Sequence, residues 1–161
     1  MKWNARKVTF KNYSFTLCVM DVNILNKYNQ TNQFGKFLGL ELELIKPGEV
    51  NYYVTVKQNH LATLNSAHGG FLAGVFDQIV GTAALSMAVL DKKVVATVEF
   101  KINYLKPAFL NDQLIGSGKV ISTGKRIYTV EGKIHNQNDE LLALGIATLN
   151  AYPFEKSDMN F

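Results

Sequence analysis

The stretch FLAGVFDQIVGTAALSMAVL, residues 71–90, decides the fold. It is long, rich in helix formers and free of proline, and at that length a helix beats a strand. It is apolar on nearly every side, which predicts a buried helix wrapped by other elements. Its one carboxylate is Asp77. A carboxylate in such company needs dedicated partners or a cavity to face. At 100° per residue, Gly70, Ala73, Gly74, Val80, Gly81 and Ala84 fall within about 60° of its bearing. The bulky Phe71, Leu72, Phe76, Ile79 and Leu85 point elsewhere. Interior glycines cost about 1 kcal/mol each against alanine, so either another backbone or a ligand comes close here.

Outward from the helix the period changes. Upstream, Leu40, Leu42 and Leu44 alternate with Glu41 and Glu43, Pro47-Gly48 reads as a turn, and Val50, Tyr52, Val54 and Val56 alternate again. Residues 40–57 are therefore a hairpin. Downstream, Val94–Leu105, Gln113–Ile121, Arg126–His135 and Glu140–Ala151 read as four strands of an antiparallel meander, with turns at Pro107, Gly124 and Asn136–Asp139. The pattern is α+β, one antiparallel sheet and one helix. Asp21 caps a helix reaching about Gln33, with Val22, Leu25 and Tyr28 as its buried side. Tyr13–Met20 is apolar and β-leaning. We divide the chain into an N-terminal extension over 1–33, a core domain over 34–152 and a frayed polar tail over 153–161.

His68-Gly69-Gly70 opens the long helix. Glycines there leave N–H groups at the positive end of the dipole, a geometry that stabilises an oxyanion. His68 itself is read as bonding the loop. Gly69 and Asp77 are eight residues apart, about 12 Å along the axis. An aspartate cannot serve a carbonyl held at the start of its own helix, so an enzymatic reading requires Asp77 from one subunit and the helix start from another.

Composition excludes several classes. The chain has 161 residues, 47% of them apolar, enough for one self-supporting core and too many for disorder. Cys18 is the single cysteine, so neither a disulfide scaffold nor a cysteine-rich zinc site is available. His60, His68 and His135 lack ligand spacing, and no metal is expected. The polar interruptions in 71–90 argue against a membrane span. Lys11 and Asn12 fall where the apolar part of a secretory signal would run, which places the protein in the cytoplasm. The sequons at Asn12 and Asn29 are then chance matches. The net charge of +4 lacks the dense basic stripe of a nucleic-acid binder.

His68-Gly69-Gly70, Asp77, Gly81 and the run Thr97-Val98-Glu99-Phe100-Lys101-Ile102-Asn103-Tyr104-Leu105-Lys106-Pro107-Ala108 together resemble the hotdog-fold acyl-CoA thioesterases of the phenylacetic-acid-degradation (PaaI-like) type. Gly124-Lys125-Arg126 and Gly145-Ile146-Ala147-Thr148 are similar to that family too. The resemblance spans about Gly35 to Tyr152. It implies the hotdog fold, an antiparallel sheet wrapped around one long central helix. It also implies a homodimer, commonly doubled to a tetramer, with sites at the interface. The substrate is then an acyl-CoA, with coenzyme A as part of it and no separate cofactor.

On that resemblance Asp77 is general base or nucleophile, Gly69 the oxyanion-hole glycine with Gly70 beside it, and Thr97 the hydroxyl that orients the attacking group. A buried carboxylate with a raised pKa is a better base near neutral pH. In the segment before the glycines, His60 fits the family. Ala62 stands where an asparagine is common and Asn65 where a glycine is, leaving Asn65 or Ser66 to contact the thioester. Lys125, Arg126 and then Lys106 are the candidates for the phosphates of coenzyme A. Two rivals remain: a non-catalytic acyl-CoA-binding hotdog protein, which the Ala62 departure favours, and a hydratase. The hydratase branch pairs its aspartate with a histidine five residues on, where this chain has Thr82.

Overall fold

The computed structural model describes residues 19–157, with side chains from Ile24 onward. Two helices come first, α1 (Val19–Thr31) and α2 (Gln33–Leu38). A hairpin follows, β1 (Glu41–Lys46) and β2 (Glu49–Thr55), then the long helix α3 (Gly69–Ala88). Four strands complete the chain: β3 (Lys93–Tyr104), β4 (Gln113–Thr123), β5 (Ile127–His135) and β6 (Leu141–Pro153). Cys18 and most of the β-leaning stretch Tyr13–Met20 lie outside the described residues, as does the Val22 side chain. Val19 and Met20 begin α1 rather than a strand.

All six strands form one antiparallel sheet in the order β1-β2-β4-β5-β6-β3. This corrects the four-strand meander. β4, β5 and β6 do run as neighbours, but β3 crosses to the far edge beside β6, and β4 pairs with β2 of the hairpin. Packing explains the crossover: β3 leaves the end of α3 and lays Phe100 against Phe76 of that helix, with ring centroids 5.4 Å apart. One row of paired residues then spans the sheet, Leu42–Tyr52–Gly116–Ile134–Ala143–Tyr104.

The helix seats directly on this face, as the hotdog arrangement requires. Val75, Phe76, Ile79, Val80 and Ala83 are fully buried. The seat depends on glycines in the sheet. A Cβ at Gly118 or at Gly132 would come within 2.6 Å of Ile79 or Phe76 respectively. Polar tethers fix the rest. Tyr52 Oη and Thr82 Oγ1 share a buried hydrogen bond of 2.9 Å. The Gly48 amide, in the positive-φ turn of the hairpin, donates to Ser86 Oγ at 2.8 Å.

Gly69–Asp91 is long and apolar enough to cross a membrane, contrary to the weight given to its polar interruptions, with a mean hydropathy of 1.5 over its most apolar window. Of that window 78% is buried inside the fold, so its hydrophobicity is that of a core helix. Of the C-terminal tail, expected to fray, residues 153–157 are described and are docked. Phe154 packs on the core, and its amide donates to Lys92 O at 3.2 Å.

Candidate functional site

The Asp77 carboxylate is half-buried within the protomer and has a dedicated partner, one of the two settings expected for it. Thr97 Oγ1, from β3, donates to Asp77 Oδ1 at 2.8 Å. The register of β3 against β6 slips between Thr97 and Glu99, so Thr97 stands at the mouth of a bulge. Bulges re-aim side chains and cluster near active sites. Asp77 and Thr97 are thus brought together within one protomer.

The start of α3 lies elsewhere, at the other end of β3, where Tyr104 Oη donates to Gly69 O at 3.1 Å. Here the four amides of the first turn divide sharply. Phe71 and Leu72 N–H donate to His68 O, and Gly70 N–H donates to His68 Nδ1 at 2.7 Å. His68 is therefore the N-cap, in keeping with its loop-bonding reading. The pairing of Gly70 with Gly69 as donors is corrected: the Gly70 amide is already engaged. The Gly69 amide has no partner among the described residues. A Cβ at Gly69 would find only ordinary contact with Tyr104 at 3.8 Å, so packing within the protomer does not demand glycine there.

His60 is buried, stacked on Phe71 with centroids 4.1 Å apart, and its Nδ1 accepts the Lys57 amide at 3.1 Å. Its Nε2 finds no partner among the described residues. Burial, and secondarily the Lys57 charge, push its pKa down, holding the imidazole neutral. Asn65 and Ser66 lie in a tight turn clamped by Thr63 Oγ1, with bridges Leu61↔Ala67 and Ser66↔Phe109. That turn borders the helix start, and its tip, Leu64, is 97% exposed.

The three basic candidates do not converge. Lys125 and Arg126 form the β4–β5 turn, where Lys93 Nζ donates to Lys125 O and Arg126 Nε to Asn150 Oδ1. Lys106 sits past the opposite end of β3, in a 2.7 Å ion pair with Glu140. Two surface cavities of about 290 and 250 Å³ lie at the hairpin turn and on the outer sheet face, and neither touches Asp77, Thr97 or Gly69.

One wall of the site was missed by the sequence argument. Gln78, next to Asp77, turns toward the end of α1, where its Oε1 accepts from Tyr28 Oη at 3.4 Å and, at the α1–α2 junction, from Asn32 Nδ2. Asn32 in turn caps α2 by accepting the Gly35 amide at 2.9 Å. Burial, and then the negative charge of Asp77, raise the Tyr28 pKa, so the phenol stays neutral. The available signal was Gln78 itself, a polar residue beside Asp77 in an apolar run.

The model of the thioesterase superfamily matches residues 64–143. A protein of Saccharolobus solfataricus that carries an esterase name is 32% identical over 137 residues, covering 83% of this chain and 87% of that one. The chain belongs to the thioesterase superfamily. This thioesterase is also 26% identical over 124 residues to human acyl-coenzyme A thioesterase 13, covering 76% of this chain and 87% of the human protein. The solved structure of the Escherichia coli PaaI protein, from the phenylacetic acid degradation operon, superposes with a TM-score of 0.78. That match covers 85% of this thioesterase and 96% of the PaaI chain at 22% identity, and it shows the same hotdog fold. The chemistry of this thioesterase is thioester hydrolysis.

Proposed function

We propose that this thioesterase hydrolyses acyl-coenzyme A to a free acid and coenzyme A, in sites shared by two protomers paired along β3. The observation that carries the reading is the split of the chemistry along one edge strand. Asp77 is bonded to Thr97 near the middle of β3, while the free Gly69 amide stands beside Tyr104 at its end. Antiparallel pairing of two β3 edges, about a two-fold axis midway between those positions, brings each Asp77 beside the partner subunit's Gly69. An edge strand of 12 residues that exposes Val98, Phe100 and Tyr104 also needs covering.

In this reading Thr97 fixes Oδ1 of Asp77 and leaves Oδ2 to take a proton from water. The hydroxide adds to the thioester carbonyl. The oxyanion that forms accepts the amide N–H of the partner subunit's Gly69, and its collapse expels the thiolate of coenzyme A. Lys125 and Arg126, neither in a salt bridge among the described residues, are the cations offered to the phosphates. Lys106 is already held by Glu140.

The test is thiol release from a panel of acyl-CoA esters. Wild type is expected to release thiol and Asp77→Asn to lose that release. Absence of release at every chain length, with binding retained, would overturn hydrolysis in favour of a binding protein.

A further inference from the structure

We propose that His60 is a positioning residue for the hydrolysis: from inside the fold it aims the amide of Gly69 at the reacting carbonyl, without touching substrate itself. The inference rests on the reading above, in which that amide holds the oxyanion, and adds the residue that directs it.

The direction of the Gly69 N–H is set by one peptide plane. The peptide joining His68 to Gly69 is trans, so the Gly69 N–H points opposite to His68 O. His68 O is held by the amides of Phe71 at 3.0 Å and Leu72 at 3.4 Å. At the other end of the same residue, His68 N donates to His60 O at 2.8 Å. His60 also lays its ring on Phe71, with 4.1 Å between centroids and 14° between planes. It therefore grips the plane from both sides, through the residue that begins it and through a residue that donates onto it. The Leu61↔Ala67 bridge ties the intervening loop shut, so the two grips act together.

Histidine suits this task better than a plain aromatic. The Lys57 amide donates to His60 Nδ1 at 3.1 Å, which tethers the ring to the chain just before it. An Nδ1 that accepts leaves the proton on Nε2, so one neutral tautomer is selected. Burial, and then the Lys57 charge, favour that neutral form. At 4% exposure the residue lies beneath the surface a substrate would touch, so its effect passes through His68.

The experiment reads kcat and KM by thiol release, and the Gly69 amide by proton–nitrogen correlation spectra, on the full chain. His60→Phe keeps a ring on Phe71 but cannot accept the Lys57 amide. It is expected to move the Gly69 signal, to lower kcat at least about tenfold and to leave KM within about threefold, since misplacement by about 1 Å costs up to about 10²-fold. His60→Asn carries an acceptor at the distance of Nδ1 and is expected to recover most of that loss. A cycle with Gly69→Pro separates aim from general structure. Once the amide is gone, His60→Phe should cost nothing further, whereas a general loss of structure would add in full. Where His60→Phe does not fold, Phe71→Leu removes the stacked ring from the other side and should give the same signature. A folded variant with wild-type kcat and an unmoved Gly69 signal, a raised KM at unchanged kcat, or an additive cycle overturns the inference. If wild type cleaves no ester, or Gly69→Pro cleaves as wild type does, the reading above falls and this inference with it. If Gly69→Pro is impaired and His60→Phe is not, only this inference falls.

Discussion

Thr97, at the mouth of a strand bulge, donates its hydroxyl to Asp77 Oδ1 at 2.8 Å. A hydrogen bond to a charged acceptor is worth about 1.5–3 kcal/mol, so Thr97→Val should lower kcat by roughly 10- to 100-fold. Thr97→Ser keeps the hydroxyl and should stay within about threefold of wild type. Asp77→Asn should cost about 10²–10⁴ in kcat if Asp77 is the base. Steady-state thiol release reads all three, and equal activity in Thr97→Val and wild type would remove Thr97 from the mechanism.

The Gly69 amide can be deleted without deleting the helix. Proline is tolerated at the first helical position, and it requires an extended residue before it. His68 already has φ −68° and ψ 138°. Gly69→Pro should therefore fold, with the circular dichroism of wild type, and lose about 10²–10³ in kcat if this amide holds the oxyanion. Gly69→Ala keeps the N–H and should retain most of the activity, since its Cβ finds ordinary contact distance.

Mixing inactive proteins tests the shared site. Asp77→Asn and Gly69→Pro, refolded together, should regain about a quarter of wild-type activity, because half of the dimers are mixed and each has one intact site. A site contained in one protomer regains nothing. Val98→Lys places a charge on the open edge, where Val98 is 62% exposed. It should shift the light-scattering mass to that of one chain and remove activity in step.

Two buried groups should contribute to the pH dependence of stability, one at each end of the range. Burial holds the His60 pKa below its ordinary 6.5, so the unfolded chain takes up the proton first. That stability is full above 6.5 and is lost as pH falls through the lower folded value. Burial raises the Tyr52 pKa above its ordinary 10.0, so its contribution is full below 10 and is lost as pH rises. Melting curves against pH should show both flanks. His60→Gln should flatten the acid flank, and Tyr52→Phe the alkaline one. Tyr52→Phe should also cost about 0.5–1.5 kcal/mol for the lost Thr82 bond.

What the sequence revealed was local. The period of 71–90 identified α3 and its aspartate, and alternation located every strand of the sheet. Alternation does not say which strand lies beside which, so β3 was placed next to β4. The contact that carries β3 to the far edge is Phe100 on Phe76, between residues whose pairing no period records. Similarly, His-Gly-Gly marked a helix start but not the allocation of its amides, which depends on how the His68 ring turns. Tyr28 is legible only as part of the buried side of an early helix, Asn32 carries no signal in the sequence, and the packing of α1 on α3 joins both to Gln78.

The glycines beneath α3 have a consequence for rate. With no Cβ at Gly118 or Gly132, the helix rests nearly on the sheet backbone, and Ile79 and Phe76 set its height. Asp77 rides on the opposite side of that same rigid rod. A Cβ at Gly132 would stand 2.6 Å from Phe76 and 3.0 Å from Val80, so Gly132→Ala should displace the rod on its seat and shift the carboxylate relative to Thr97. If Asp77 is the base, its alignment is levered from below, and a substitution under α3 would slow turnover without touching the chamber in which turnover occurs.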